Sequence, residues 1–147
     1  MKTVWKEPDY RELRGRLDRL APEAMAKWGK FTAPRMVCHL TDSLKMASGE
    51  LEVPSKNLPI RFTPLKQLII YWLPFPKSAP TAPQLLARKP DAWHGEVDAL
   101  RRELDAFVKR GPSGPLVPHP AFGRMTPRAW GVLVYRHMDH HLRQFGA

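Results

Sequence analysis

Apolar residues recur every three or four positions in four long segments of the 147-residue chain. This spacing places them on one face of an α-helix, and no segment shows the convincing alternation that predicts a strand. We therefore predict four amphipathic helices. Their apolar positions are Tyr10, Leu13, Leu17 and Leu20; Val37, Leu40, Leu44 and Ala47; Trp93, Val97, Leu100, Leu104 and Phe107; and Trp130, Leu133, Val134 and Phe145.

Residues typical of helix ends bound these segments. Thr32 and Thr126 are placed to act as N-caps, and Thr126 is followed by a proline at the first helical position. Gly49 and Gly146 can end the second and fourth long helices. The first long helix is predicted from about residue 8 to 20, and the third from about 91 to 110.

A proline-rich region from Glu50 to Pro90 separates the second and third long helices. We expect one short helix there, Leu65 to Leu73, whereas the stretch "PFPKSAPTAP" has too many prolines for regular structure. Sustained three-four spacing is typical of helices that pack at a shallow angle. The sequence therefore predicts an all-α four-helix bundle with a long proline-rich crossover between helices two and three, in one domain, 1–147.

Two histidines interrupt the apolar stripe of the last helix, in "YRHMDHH". His137 and His141 are one turn apart in the middle of the stripe, so their side chains can converge on one ion. Neutral imidazole is a common ligand of zinc, nickel and iron, and buried polar groups need a partner. The alternative is a pair of packed core histidines. A zincin motif is excluded because Met138 follows His137 where that motif has glutamate.

A third metal ligand would have to come from another helix. His39, in "MVCHLTDSL", lies on the flank of the apolar stripe of the second long helix and is the main candidate. His94 is a weaker candidate at the margin of its stripe, His119 is expected in a loop between prolines, and His140 lies at the edge of its stripe. Cys38 is interpreted as an ordinary buried or half-exposed thiol.

The net charge and the composition limit the classes of function that the protein can have. The net charge is +10, but the 24 Lys and Arg residues are scattered and no nucleic-acid-reading motif is present, which disfavours nucleic acid as the main partner. The single cysteine permits no intrachain disulfide, and the N-terminal residues lack the apolar core of a signal peptide. The run from Leu68 to Phe75 is too short to span a bilayer. We expect a cytoplasmic protein without a transmembrane segment.

The motifs "MVCHL" and "HMDHH" resemble those of the DinB/YfiT-like superfamily of metal-binding four-helix bundles. The C-terminal block "HPAFGRMTPRAW" with "YRHMDHHLRQFG" is similar to a DinB-related family described as a domain of unknown function. The resemblance covers nearly the whole chain. It implies that His39, His137 and His141 hold a divalent metal. His119 and the pair Arg143-Gln144 match the narrower family without an implied role.

The superfamily resemblance also implies up-down-down-up topology and frequently a homodimer. Superfamily members with known activities include metal-dependent thiol transferases and a few hydrolase- or isomerase-like enzymes. The substrate class does not follow from the resemblance.

One hypothesis is a metalloenzyme that acts on a small molecule. Three imidazoles leave an open coordination position at which a water or a thiol can be activated, with Asp42 or His140 as the candidate base. Asp42 could instead orient an imidazole or be solvated, and Arg136 and Arg143 are interpreted as surface charges. The alternatives are a metal-stapled interaction protein with an apolar patch at Ile69–Trp72, or a basic peripheral protein on nucleic acid or membrane.

Overall fold

Five α-helices and two short 3-10 helices form the regular structure in the computed structural model, which describes residues 1–77 and 80–147. The helices are α1 (Glu7–Asp18), α2 (Ala33–Ser48), α3 (Leu65–Tyr71), α4 (Trp93–Arg110) and α5 (Pro127–Gln144); the 3-10 helices are Pro59–Arg61 and Pro83–Leu85. No strand forms among these residues, so the all-α prediction is confirmed. Residues 78 and 79 of the proline-dense stretch lie outside the described residues.

The predicted end signals determine where the helices begin and end. The side chain of Thr32 accepts a hydrogen bond from Arg35 N, and Thr126 Oγ1 accepts one from Ala129 N at 3.1 Å. Gly49 ends α2 in the left-handed conformation, with φ of 85°, which costs glycine little. The short helix predicted in the crossover is α3.

The predicted apolar stripes form the core. Helix α2 packs along α4, and α5 contacts α1, α2 and α3. The residues that fill these contacts are almost fully buried, among them Leu13, Leu40, Leu100, Leu104 and Trp130. Burial of each such leucine contributes roughly 1.5–3 kcal/mol relative to exposure. This packing holds the middle of α2 against the C-terminal half of α5, where the histidines lie.

A glycine in α5 lets the N-terminal segment cross that helix. A Cβ atom on Gly131 would meet Trp5 Nε1 at 2.1 Å, so only glycine fits. Trp5 Nε1 donates to the Pro127 carbonyl at 2.8 Å, and its indole stacks on Phe107 at 5.0 Å between ring centroids. The contact joins the segment before α1 to both α4 and α5.

The end of the crossover is tied to α2 and α4 by Arg88. Its Nε donates to Asp42 Oδ1 of α2 at 3.1 Å, and its two terminal nitrogens bond both carboxylate oxygens of Glu96 of α4, at 2.6 and 3.0 Å. Asp42 and Glu96 are buried. Burial raises the pKa of Glu96, but the bonds from Arg88 and Asp91 N more than offset it, so this pKa lies below its ordinary value.

The environment of Arg136 differs from the prediction that this residue is a surface charge. It is half-buried and donates to the carbonyls of Ile69 at 2.9 Å, Ile70 at 2.5 Å, and Leu73. The last carbonyls of a helix have no intrahelical donor, and α3 ends directly against this side of α5. Arg136 therefore caps α3. Arg143 is exposed, as predicted.

The apolar run from Leu68 to Phe75 has two environments. Ile70 is buried against the core, whereas Trp72 is 73% exposed and Leu68 is 44% exposed. No helix among the described residues has the length and apolar character to cross a membrane.

Candidate metal centre

Three histidines from two helices converge at one place in the core. His39 comes from α2, and His137 and His141 come from α5. One ring nitrogen of each lies within 4.8 Å of those of the other two, and His39 Nε2 is 3.2 Å from His137 Nε2. These are the three residues that the sequence singled out.

The local sequence explains how each ring reaches the cluster. On α5, the spacing of four residues stacks His137 and His141 on the same face, with ring centroids 4.8 Å apart. His39 was expected on the flank of its helix, yet it is only 5% exposed. The reason is the crossover, whose 3-10 helix Pro83–Leu85 contacts α2 and covers that flank.

Hydrogen bonds at Nδ1 orient two of the three rings. His39 Nδ1–H donates to the Leu85 carbonyl at 3.3 Å, and His141 Nδ1–H donates to Gln144 Oε1 at 2.9 Å. Gln144 Nε2 donates to the Trp28 carbonyl at 2.7 Å, which assigns the amide oxygen to the side facing His141. With Nδ1 protonated, Nε2 of His39 and His141 carries the lone pair. Metal-binding histidines commonly have such partners on their second nitrogen.

Burial keeps all three imidazoles neutral near pH 7. Desolvation lowers the pKa of His39, and it lowers the pKa of His141 to about 3. The pKa of His137 lies well below its ordinary value because of burial and, next, the neighbouring His141 and His39. Neutral imidazole is the form that binds a metal, so no proton has to be displaced there.

The donor set suits a divalent ion, and so does the distance between His39 Nε2 and His137 Nε2. Two imidazole nitrogens about 2.0–2.1 Å from a tetrahedral zinc ion lie about 3.3 Å apart, close to the 3.2 Å between His39 Nε2 and His137 Nε2. An all-nitrogen set suits zinc, nickel or iron better than calcium or magnesium. No further His, Cys, Asp or Glu among the described residues joins the cluster, so an ion held by these three side chains would have a coordination position open.

The two candidate bases lie beside the cluster and outside it. Asp42 is one turn from His39, but its carboxylate accepts from Arg88. The ring of His140 packs edge-on against His141, with centroids 5.2 Å apart, and against Trp28 at 5.6 Å. A catalytic role for either residue remains a prediction.

Two other residues have the positions that the sequence suggested. Cys38 is buried, and burial raises the pKa of its thiol to about 11, which fits an unreactive thiol. His94 is exposed at the start of α4 and contributes nothing to the cluster.

His119 closes the loop formed by the motif "HPAFG". Its Nδ1 accepts from Ala121 N at 3.1 Å and Phe122 N at 3.2 Å, and its backbone exchanges two hydrogen bonds with Gly123. Its ring packs on Trp130 of α5 at 5.4 Å. A ring nitrogen that accepts two bonds cannot be protonated without losing them. Burial lowers the pKa of His119 to about 4.

We expect His119 to make the metal-free protein less stable in acid. Its pKa in the folded protein is below the unfolded value of about 6.5. Its contribution to the free energy of unfolding is therefore complete above pH 6.5 and is lost as the pH falls toward 4. As the pH falls from about 7.5 to about 5.5, the titration of this one histidine lowers the free energy of unfolding by about 1.4 kcal/mol.

Urea unfolding of chelator-treated protein at the two pH values measures this loss. His119→Asn keeps an acceptor for the two N–H groups but cannot titrate, so its loss should be smaller than that of the parent by about 1.4 kcal/mol. His94→Asn, at an exposed position, is the matched control and should behave as the parent. An equal loss in the parent and in His119→Asn would contradict the assignment.

Sequence reasoning missed the groups that orient the rings. The Leu85 and Trp28 carbonyls are backbone atoms, one at the end of a short 3-10 helix and one in irregular chain, so no residue type reveals them. Gln144 was noted as part of a motif but was given no role. A signal did exist, because residues three apart share a helix face and a glutamine at that distance can reach an imidazole.

A comparison with known protein families gives a match over nearly the whole chain. A family model described as "Protein of unknown function (DUF1569)" matches residues 6–147, which include all five helices and the three clustered histidines. No curated protein and no solved structure gives a significant match.

Proposed function

Because the chain belongs to the DUF1569 family, whose function is unknown, we propose a function from the site alone: the protein binds a divalent metal through His39, His137 and His141. The observation that carries the proposal is the convergence of three neutral imidazoles, two of which have Nδ1 engaged and Nε2 available. Zinc, nickel and iron are the ions that suit this donor set.

We further propose that α1, α2, α4 and α5 are the four helices of a DinB-like bundle in up-down-down-up order. The packing of α2 along α4 and of α5 on α1 and α2 supports this arrangement. In it the metal joins α2 to α5, and α3 belongs to the crossover.

We propose that the centre is catalytic, as a metal-dependent transferase of thiols or as a hydrolase. When bound, the ion supplies a Lewis acid that activates a thiol or a water at the open position. The chain holds the rings in place through Leu85 and Gln144. Phe31 shields the site, since its ring lies 5.3 Å from that of His39 and 5.8 Å from that of His141. We propose His140, whose ring packs against that of His141, as the group that takes a proton from the substrate.

A second candidate function is a non-catalytic role in which the metal staples α2 to α5 and the protein binds a partner. The exposed apolar side chains around α3, including Phe62, Leu68 and Trp72, favour it. A second copy of the chain covering these residues would make a homodimer. A fourth protein ligand on the metal would favour this role, whereas an exchangeable water would favour catalysis.

Elemental analysis of the untagged protein, purified without chelator, tests the proposal. We expect about one nickel, zinc or iron ion per chain, removed by chelator and restored on adding one of these metals. His94→Ala alters an exposed histidine outside the cluster and should keep the full metal content. A parent protein that holds no metal and cannot be loaded would leave three packed core histidines and refute the proposal.

A further inference from the structure

An open groove of about 670 Å³ lies on the surface next to the histidine cluster. We name it the α3–α5 groove. Residues of α5 and of the segments that follow α1 and α3 line it: Trp28, Trp72, Phe75, Arg136, His140 and Arg143. Its volume is in the range of small-molecule sites, which is roughly 300–1,000 Å³.

The charge of the groove is strongly positive. Its cationic side chains are Lys27, Lys77, Arg136 and Arg143. Asp139 is the one carboxylate side chain among its described lining residues. Arg16 binds it in a 2.6 Å ion pair from outside the groove, and Arg143 lies 3.4 Å from its other carboxylate oxygen. Arg16 also donates to the Ala147 oxygen at 3.0 Å. Clefts lined by one sign of charge concentrate ligands of the opposite sign.

The groove also presents flat apolar surfaces. The indole of Trp72 is 73% exposed, and the rings of Trp28 and Phe75 lie 5.6 and 6.0 Å from the ring of His140. Lys77 Nζ lies 5.0 Å from the ring centre of Trp28. Aromatic faces beside ammonium groups suit a ligand that has a flat body and an anionic end.

His140 joins the groove to the histidine cluster. It lines the groove near Trp28 and Phe75, and its ring also packs on the ring of His141 at 5.2 Å. A ligand in the groove is therefore separated from the cluster by a single side chain.

We propose that the α3–α5 groove binds a small organic anion, with its flat apolar body against Trp28, Trp72 and Phe75. Its carboxylate or phosphate binds Lys27 and Lys77, together with Arg143. Arg136 contributes charge, but both of its terminal nitrogens already donate to the carbonyls of Ile69, Ile70 and Leu73. That this anion is the substrate of the centre rests on the proposed function, whereas its binding to the groove does not.

Calorimetric titration with 1-naphthyl phosphate tests the proposal, first on protein treated with chelator. We expect saturable binding of one molecule per chain that weakens with added salt. The neutral compound 1-naphthol has the same flat body and should bind at least about tenfold more weakly, because the cations then have no partner. Inorganic phosphate should also bind at least about tenfold more weakly, because it has no body to stack on the aromatic side chains.

Two triple variants separate the groove from the general positive charge. Lys27→Ala/Lys77→Ala/Arg143→Ala should weaken binding at least about tenfold. The matched control Lys56→Ala/Lys89→Ala/Lys109→Ala removes the same charge from exposed positions elsewhere and should change affinity less than about twofold. All six residues are largely exposed, so both variants are expected to fold.

Several outcomes would overturn the inference. They are the absence of saturable binding, an equal loss in the two triple variants, and binding that disappears in chelator-treated protein and returns with metal. The last result would place the phosphate on the ion instead of the groove. The proposed function fails separately, on metal content: groove binding by a protein that takes up no metal would support the anion site and remove its catalytic role.

Discussion

Arg88→Met is expected to lower the free energy of unfolding by about 3 kcal/mol. The change leaves the carboxylates of Asp42 and Glu96 without their partner, and their side chains are only 6% and 3% exposed. Breaking a buried ion pair typically costs about 3–5 kcal/mol, because one charge stays buried and unpaired. The lower end applies here because Arg88 itself is 39% exposed and water can enter in its place.

The loss in Arg88→Met should shrink in acid, and the sign follows from Glu96. In the parent, the pKa of folded Glu96 is below its ordinary value of 4.5. The contribution of Glu96 to the free energy of unfolding is therefore full above pH 4.5 and is lost at lower pH. Without the bonds and charge of Arg88, burial is opposed by less and the folded pKa of Glu96 rises, so protonation relieves part of the penalty. The difference between parent and variant should therefore be larger at neutral pH than at about pH 4.

The exposed ion pairs of Arg101 supply the matched control. Arg101 binds Asp18 at 2.6 Å and Asp98 at 2.8 Å, and both carboxylates are about half exposed. Arg101→Met should cost no more than about 1 kcal/mol, as is typical of surface pairs. Urea unfolding of both variants and the parent measures the difference. Equal losses in the two variants would mean that burial of the Arg88 pairs contributes nothing.

The helices could be predicted because their determinants are local. The three-four spacing and the caps at Thr32 and Thr126 fix the long helices to within a few residues, and Gly49 ends α2 where expected. The same stripes then formed the core. These features need only the neighbours of each residue along the chain, which the sequence contains.

The crossover could not be predicted because its contacts are not periodic. Leu85 ends a single 3-10 turn and Arg88 lies in irregular chain, and which imidazole or carboxylate they meet depends on how a proline-rich segment folds back over α2. Arg136 illustrates the same limit. Its position on α5 indicated a surface charge. The C-terminal end of α3 packs against Arg136 and supplies carbonyls that accept hydrogen bonds from it.

The candidate site was predicted in unequal parts. The pair His137 and His141 followed from an interruption of the apolar stripe, which is a signal within one helix. His39 depended more on the resemblance of "MVCHL", since its own helix gave it only a flanking position. The groove beside His140 brings together three separate segments, and no pattern along the chain indicates that its cations and aromatic rings meet.

We expect the largest loss of metal affinity from His137→Ala and a smaller loss from Gln144→Leu. His137 belongs to the proposed ligand set, and its Nε2 lies 3.2 Å from Nε2 of His39. Its removal should weaken zinc binding more than about 100-fold, which exceeds the loss typical of an outer partner. Gln144 holds His141 Nδ1–H at 2.9 Å and is itself fixed by the Trp28 carbonyl. Its replacement should weaken binding roughly 10–100-fold.

Competition with a chromophoric zinc chelator measures all of these affinities on one scale. Gln67→Leu is the matched control, because Gln67 is an exposed glutamine of α3 outside the cluster, and its affinity should stay within about twofold of the parent. Circular dichroism of each metal-free variant checks that the helices remain. Full affinity in His137→Ala would place the metal elsewhere. Full affinity in Gln144→Leu, with His137→Ala impaired, would show that the orientation of His141 does not depend on the glutamine.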